Sequence, residues 1–208
     1  MPAVTSTDGP VAVTGASGYI GSHVVISLLK RGYNVRACIT DANNPDKTEH
    51  LLALNNAGYS GNVELHTANL LDDGSYDAPF AECSAVLHVG TAMGYGGANN
   101  PRQVYDGAVN GTANVLKSIQ STGTVKRFIY TSSFAAIGHP APPGYVYTES
   151  DWASDNRDSD PNWNLDNLEE KGETGYAMAK VETEHMVNRV AAEDGRFESI
   201  SVCPIVVL

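Results

Sequence analysis

Apolar and polar positions along the chain switch repeatedly between a strand-like run and a helical period. Val11-Ala12-Val13 is a short apolar run of the kind a strand buried on both faces carries. From Ile20 onward, Val24, Val25, Leu28 and Leu29 recur with helical spacing, so residues 11–29 read as strand, tight turn and helix. The rhythm then repeats. Tyr33 to Ile39 reads as a second strand, Asp46 to Ala57 as a helix and Val63 to His66 as a third strand. Asp72 to Cys83 reads as a short, poorly periodic helix and Ala85 to Val89 as a buried strand. Asn100 to Ser121 is a long helix whose apolar face is carried by Val104, Ala108, Val109, Ala113, Val115, Leu116 and Ile119. Arg127 to Tyr130 is a fifth strand, running into Thr131-Ser132-Ser133. Strands alternating with helices imply an α/β fold with a doubly wound parallel sheet and right-handed crossovers.

Phe134 to Glu173 breaks the rhythm. It holds Pro140, Pro142 and Pro143, both tryptophans, and an acidic second half. A loop this long in a compact domain is either functional or solvated and disordered; residues 154–161 fit either description. A helix follows from about Thr174 to Glu193. A sixth strand near Ser199 to Val207 is as apolar as one covered on both faces, yet nothing in these 208 residues is expected to cover it.

Composition narrows the class. At 208 residues the chain has room for one sizeable domain, taken as 1–208, and a hydrophobic content of 42% fits a globular fold. A net charge of −11 argues against nucleic acid and anionic membrane as partners. No apolar stretch approaches the ~20 residues of a membrane span. The N-terminus lacks the basic and apolar regions of a secretory signal. Cys38, Cys83 and Cys203 stand far apart, and with the histidines they show no metal-ligand spacing, so no metal site is expected. A reducing, cytoplasmic location is the expectation.

Chemistry concentrates at two places. Gly15, Gly18 and Gly21 follow the first strand at a spacing of three and open the first helix. Such a turn is either an ordinary strand–helix connection or a phosphate cradle, with free backbone N–H groups and a helix dipole aimed at an anion. Tyr176 and Lys180, four apart on a helix, share a face. A tyrosine phenol is a poor proton donor at neutral pH. An ammonium ~4 Å away at an effective dielectric of 20 favours the phenolate by about 4 kcal/mol. Ser132 and Ser133 end a parallel strand at the edge where open α/β sheets bind ligands, though a serine there can also cap a turn.

TGASGYIG, the strand-end TSS and YAMAK, in this order, closely resemble the extended short-chain dehydrogenase/reductase family. VLHVGTAM (Val86 to Met93), VNGTANVL (Val109 to Leu116) and KRFIYTSS are similar to further segments of it. Within the family the chain looks most like the dihydroflavonol reductase, cinnamoyl-CoA reductase and bacterial aldehyde/ketone reductase branch. The resemblance implies a Rossmann-like sheet, with Tyr176 as general acid/base and Lys180 holding the nicotinamide ribose. Ser133 is implied to bond the substrate carbonyl, with Ser132 as the second candidate, and Asn110 to support a proton-relay water. It further implies cofactor contacts from Thr14, Gly15, Ser17, Gly18, Tyr19, Ile20 and Gly21 at the turn. Asn69 and Leu70 would lie near the adenine, Val89, Gly90 and Thr91 near the ribose, and Pro204 near the nicotinamide. Ile39 stands where an NAD enzyme would place an acid, and Thr40 where the reductases place an arginine. Lys47, with Arg36 assisting, matches a 2′-phosphate position, so NADP is favoured and NAD is not excluded. Asn69 replaces the family's aspartate. Gly138 replaces a polar residue that touches substrate in plant flavonoid reductases.

The expected function is an NADP(H)-dependent oxidoreductase reducing an aldehyde or ketone, or oxidising the alcohol. Its rivals are an NAD-dependent nucleotide-sugar epimerase or dehydratase and a non-catalytic dinucleotide sensor. The resemblance also implies a C-terminal substrate lobe beyond these 208 residues, and a monomer or homodimer once that lobe is present. Without it, the sixth strand is expected to leave an apolar patch.

Overall fold

The structure, a computed structural model, describes residues 4–92, 100–155, 157, 160, 163–168 and 172–207. Its strands are β1 (Val11–Thr14), β2 (Val35–Ile39), β3 (Val63–Thr67), β4 (Ala85–His88), β5 (Arg127–Thr131) and β6 (Glu198–Val202). All pairings are parallel, and the sheet order is β3-β2-β1-β4-β5-β6. The helices are α1 (Tyr19–Lys30), α2 (Pro45–Leu52), α3 (Asp77–Phe80), α4 (Pro101–Thr122) and α5 (Gly172–Asp194).

Strand alternation sends side chains to two separate cores. Val13, Val35, Ala37, Ile39 and Val63 pack under α1 and α2 with Val25, Leu29 and Leu51. Ala12, Cys38, Val86, Phe128 and Tyr130 pack on the other face with Val115, Leu116 and Ile119 of α4 and Val187 of α5. The chain reverses its direction of winding between β1 and β4, and a crevice opens above the carboxyl ends of those two strands. Helix ends are set locally. Asn100 accepts from Arg102 N at 2.8 Å and Pro101 opens α4, while Gly123 at φ +64° ends it.

Four elements differ from the pattern read in the sequence. The second strand begins at Val35, because Asn34 turns its carbonyl to Val11 N. The helix expected to reach Ala57 ends at Leu52 and tightens into a 3₁₀ turn over Ala53–Asn56. Only Asp77–Phe80 is helical within 72–83, because Gly74 adopts φ +75° and Pro79 lacks a donor. The sixth strand stops at Val202, short of Val207; it is an edge strand, and Ile200 is 43% and Val202 50% exposed.

The described part of 134–173 is tied down rather than solvated. Ala153 N donates to Ala136 O at 2.8 Å, and Trp152 stacks on His185 with ring centroids 3.8 Å apart. Within 154–161, Arg157 donates to Ala153 O at 2.7 Å, pairs with Asp160 and lies over the Trp163 ring.

Candidate active site

The glycine turn is built for close approach. Gly15 sits at φ +64°, and a Cβ there would fall 2.7 Å from Gly90 Cα; one on Gly21 would fall 2.1 Å from Gly15 O. Gly18 N donates to Gly15 O at 3.0 Å and closes the turn. Gly18 caps α1 with no side-chain bond, and no acidic residue occupies the first helical turn. The leading N–H groups of α1 are therefore available to an anion, as in dinucleotide cradles.

Beside this turn lies a cleft of about 130 Å³ lined by Gly15, Ser17, Ile39, Thr40, Asn69, Leu70, Gly90 and Thr91, among others. Lys47 Nζ donates to Thr40 Oγ1 at 3.1 Å, which holds a cation at the carboxyl end of β2. Asn69 Oδ1 accepts from Leu71 N at 3.1 Å and keeps a second lone pair. Leu70 packs against Gly111 of α4. Tyr19 is exposed at the head of α1, edge-on to His23, with Ile20 half-buried beside it. Val89 is half-buried in the α1 and α2 core.

Lys180 is the centre of the second group. It is 2% exposed, and Nζ donates to Thr91 Oγ1 (3.3 Å), Tyr130 OH (3.3 Å) and Thr131 O (2.9 Å). Burial pulls its pKa down to about 8. Nζ lies 4.9 Å from the Tyr130 ring centroid and 5.7 Å from that of Tyr176. Two phenols thus flank one ammonium, where the sequence pointed to one. They differ in access. Tyr130 is buried, its hydroxyl is bonded to Thr183 at 2.5 Å and burial raises its pKa, whereas Tyr176 is half-buried.

The serine pair divides in the same way. Ser132 is 2% exposed and donates to Glu184 Oε2 at 2.5 Å, so its hydroxyl is committed inward. Ser133 is half-buried, and its Oγ accepts from Ala135 N at 3.1 Å to cap the short turn Phe134–Ala136 that packs on α5. Ser133 is the serine left able to reach a ligand. Phe134 N donates to Pro204 O at 2.9 Å, which brings Pro204 to the same turn. Gly138 is set by packing, since a Cβ would meet the Phe134 ring at 2.7 Å.

Three expected site residues have side chains that are placed or engaged elsewhere. Arg36 points to the opposite end of the sheet: it donates to Pro79 O at 3.1 Å and to Ala81 O, with Glu64 at 3.9 Å. Lys47 and Thr40 remain as the polar pair at the carboxyl end of β2. Asn110 is exposed on α4, two residues from both Ala108 and Thr112, which are buried against the sheet. At 100° per residue, its side chain lies on the far face. Thr14 is fully buried; its Oγ1 bonds His88 Nδ1 at 2.7 Å and accepts from Gly90 N at 3.2 Å, so it shapes the cleft from below. Sequence reasoning passed over three contributors: His88, which burial pushes to about 3, together with Tyr130 and Glu184. Glu184 carried a readable signal, standing as far beyond Lys180 as Lys180 stands beyond Tyr176.

Among the described residues, one group of metal-ligating types occurs, His139, Asp151 and Asp155, with ligand atoms within 4.8 Å. No helix there is long and apolar enough to cross a membrane.

Sheet order, bare helix N-terminus and buried lysine together define a dinucleotide-binding α/β fold. The chain belongs to the NAD dependent epimerase/dehydratase family, whose model matches residues 11–207. It is 36% identical over 200 residues to a dihydroflavonol 4-reductase of Arabidopsis thaliana, covering 95% of this chain and 49% of that protein. It is 39% identical over 148 residues to a cinnamoyl-CoA reductase of Medicago truncatula, covering 70% and 44%. Among solved structures it resembles vestitone reductase from alfalfa (Medicago sativa), at TM-score 0.70 and 26% identity, covering 94% of this chain and 56% of that one. It likewise resembles Gre2 from Candida albicans in complex with NADPH, at TM-score 0.73 and 25% identity, covering 94% and 57%. The chain spans about half the length of the curated relatives it matches.

Proposed function

We propose that these residues form the dinucleotide-binding and proton-transfer part of an NADP(H)-dependent reductase acting on an aldehyde or ketone. The observation that carries this reading is the buried Lys180, which bonds Thr91 at the cleft and the Thr131 carbonyl just before the serine pair, with the ring of the half-buried Tyr176 5.7 Å from its Nζ. The residues fit the cofactor. Gly15 and Gly21 leave no room for side chains and Gly90 leaves little, the α1 N–H groups can take the pyrophosphate, and Thr40 with Lys47 can take a 2′-phosphate. A bound nicotinamide supplies the hydride.

The chain's own side chains handle the oxygen. Ser133 donates to the substrate carbonyl and polarises it. Tyr176 delivers the proton as charge develops there, with the Lys180 ammonium offsetting the phenolate left behind. Lys180 also presents a donor toward the ribose edge of the cleft through its position on Thr91. The substrate comes from the carbonyl class that the reductase relatives' names describe, and its identity is set by parts of the pocket beyond Ser133 and Tyr176.

Titration with NADPH and NADH, followed by NADPH oxidation against a panel of aldehydes and ketones, tests the reading. NADPH should bind more tightly, and Tyr176→Phe should keep that affinity while turnover falls at least ~100-fold. Near-full turnover in Tyr176→Phe would overturn the mechanism. Tightly held, co-purifying NAD would favour an epimerase or dehydratase instead.

A further inference from the structure

We propose that Glu184 is a positioning residue of this site, a buried carboxylate that ties the Ser132–Ser133 turn to the Lys180 helix and supplies the counter-charge to the Lys180 ammonium. The proposal rests on the reading that Tyr176 and Lys180 handle the proton.

Three segments converge on one carboxylate. Ser132, at the end of β5, donates to Glu184 Oε2 at 2.5 Å, with Ser132 2% and Glu184 8% exposed. Cys203, just beyond β6, places its thiol 3.7 Å from the same oxygen. Glu184 itself belongs to α5, one turn after Lys180 as Lys180 is one turn after Tyr176. A buried donor that loses such a partner is left unsatisfied, so each segment is held in register by the others. Ser133 follows Ser132 directly, and its hydroxyl position depends on how firmly Ser132 is held.

Charge gives Glu184 its second role. The contacts of Lys180 Nζ, on Thr91, Tyr130 and Thr131, are to neutral oxygen acceptors. The titratable groups facing it are His88 from β4, Tyr130 from β5, Cys203 beyond β6, and Tyr176 and Glu184 on its own helix. Among the described residues, only Glu184 is a carboxylate. Burial works against the ammonium, and Glu184 is the leading influence opposing it.

The test reads Lys180 directly in the full chain without substrate or cofactor. Lysine labelled at Cε and Nζ is titrated by NMR, and the Lys180 resonance is assigned by its loss in Lys180→Arg. Glu184→Gln keeps the size and can still accept from Ser132, so circular dichroism should show an intact fold. Its Lys180 midpoint should fall by about one pH unit, a tenfold change in the ammonium-to-amine ratio at a given pH. Glu184→Asp, which restores the charge, should return the midpoint most of the way to wild type. An unchanged midpoint in the Gln variant, or an equal fall in the Gln and Asp variants, overturns the proposal. Should Glu184→Gln fail to fold, Glu184→Met, uncharged and of similar length, carries the same expectation and the same refutation. Failure of the reductase reading would show separately, as unaffected turnover in Tyr176→Phe.

Discussion

Three glycines in one turn do different jobs, and the distances separate them. Gly21 has no space: a Cβ would sit 2.1 Å from the Gly15 carbonyl, backbone against backbone. Gly18 is less confined: its Cβ would meet Gly15 O at 3.3 Å, a tight contact that the turn can relieve by a few tenths of an ångström, and φ −77° suits any residue. Gly21→Ala should therefore cost about 1–3 kcal/mol of stability, and calorimetry should show Tm falling by roughly 2–4 °C per kcal/mol. Gly18→Val, at the N-cap of α1, should cost about 1 kcal/mol of stability and lose at least tenfold in NADPH affinity, because its side chain stands where the phosphates are proposed to meet the backbone. Retained affinity in Gly18→Val would remove the cradle assignment. Of these roles, the sequence showed the spacing but not which glycine is steric and which is functional. Spacing and strand-end position likewise brought out Tyr176, Lys180 and Ser133, the residues proposed to act here. Where the Asn110 and Arg36 side chains lie was not legible, because a motif match does not say which face of a helix, or which end of a strand, a side chain takes.

At the scale of elements, the switching between strand-like runs and helical period carried all six strands and their parallel winding, most plainly at β1, β2 and β4, which are buried on both faces. Boundaries were less legible where single residues intervene, as Gly74 and Pro79 do before and within α3. The segment after β5 was opaque, because its order comes from side-chain bonds rather than periodicity. Asp151 is its knot. The carboxylate accepts from Tyr145 OH, His139 Nε2 (3.1 Å), Thr148 N (2.5 Å) and Thr148 Oγ1 (3.0 Å). Those bonds, Tyr145 first, hold the Asp151 pKa below its ordinary 3.8, while the bonds to Pro140 O and Asp151 raise that of His139 above 6.5. The acid's contribution is present above pH 3.8 and is lost as pH falls through its depressed value. The base's is present below pH 6.5 and is lost as pH rises through its raised value. Limited proteolysis within 139–155 should thus be slowest between those two values and faster on either side. Asp151→Asn should cleave faster throughout and lose the acid limb. A wild-type cleavage rate independent of pH across this range would show that the knot does not hold the loop.

For the molecule as a whole, the two sheet edges are unequal. β3 ends the sheet with a charged, polar strand carrying Glu64, His66 and Thr67, which discourages further pairing. β6 ends it with Ile200 and Val202 half-exposed, and the chain beyond presents Ile205 (73%), Val206 (72%) and Val207 (48%) to solvent. Pro204, at the head of this apolar strip, is tied to the serine turn through its carbonyl, and exposed apolar surface of this kind favours contact with another apolar face. Two forces compete over it. A net charge of −11 repels a second copy, while the strip attracts one. Salt decides between them, because the Debye length shrinks from about 30 Å at 0.01 M to about 8 Å at 0.15 M and leaves burial of the strip unscreened. The 208-residue chain should consequently be monomeric at low ionic strength and self-associate as salt is raised, as followed by sedimentation velocity. Ile205→Glu with Val206→Glu changes two side chains that are mostly in water, so unfolding should shift by no more than about 0.5 kcal/mol per substitution. The same pair should abolish the salt-driven association. If the wild type stayed monomeric at high salt, or the double variant associated equally well, the strip would not be a contact surface and the cause of its exposure would lie elsewhere in the fold.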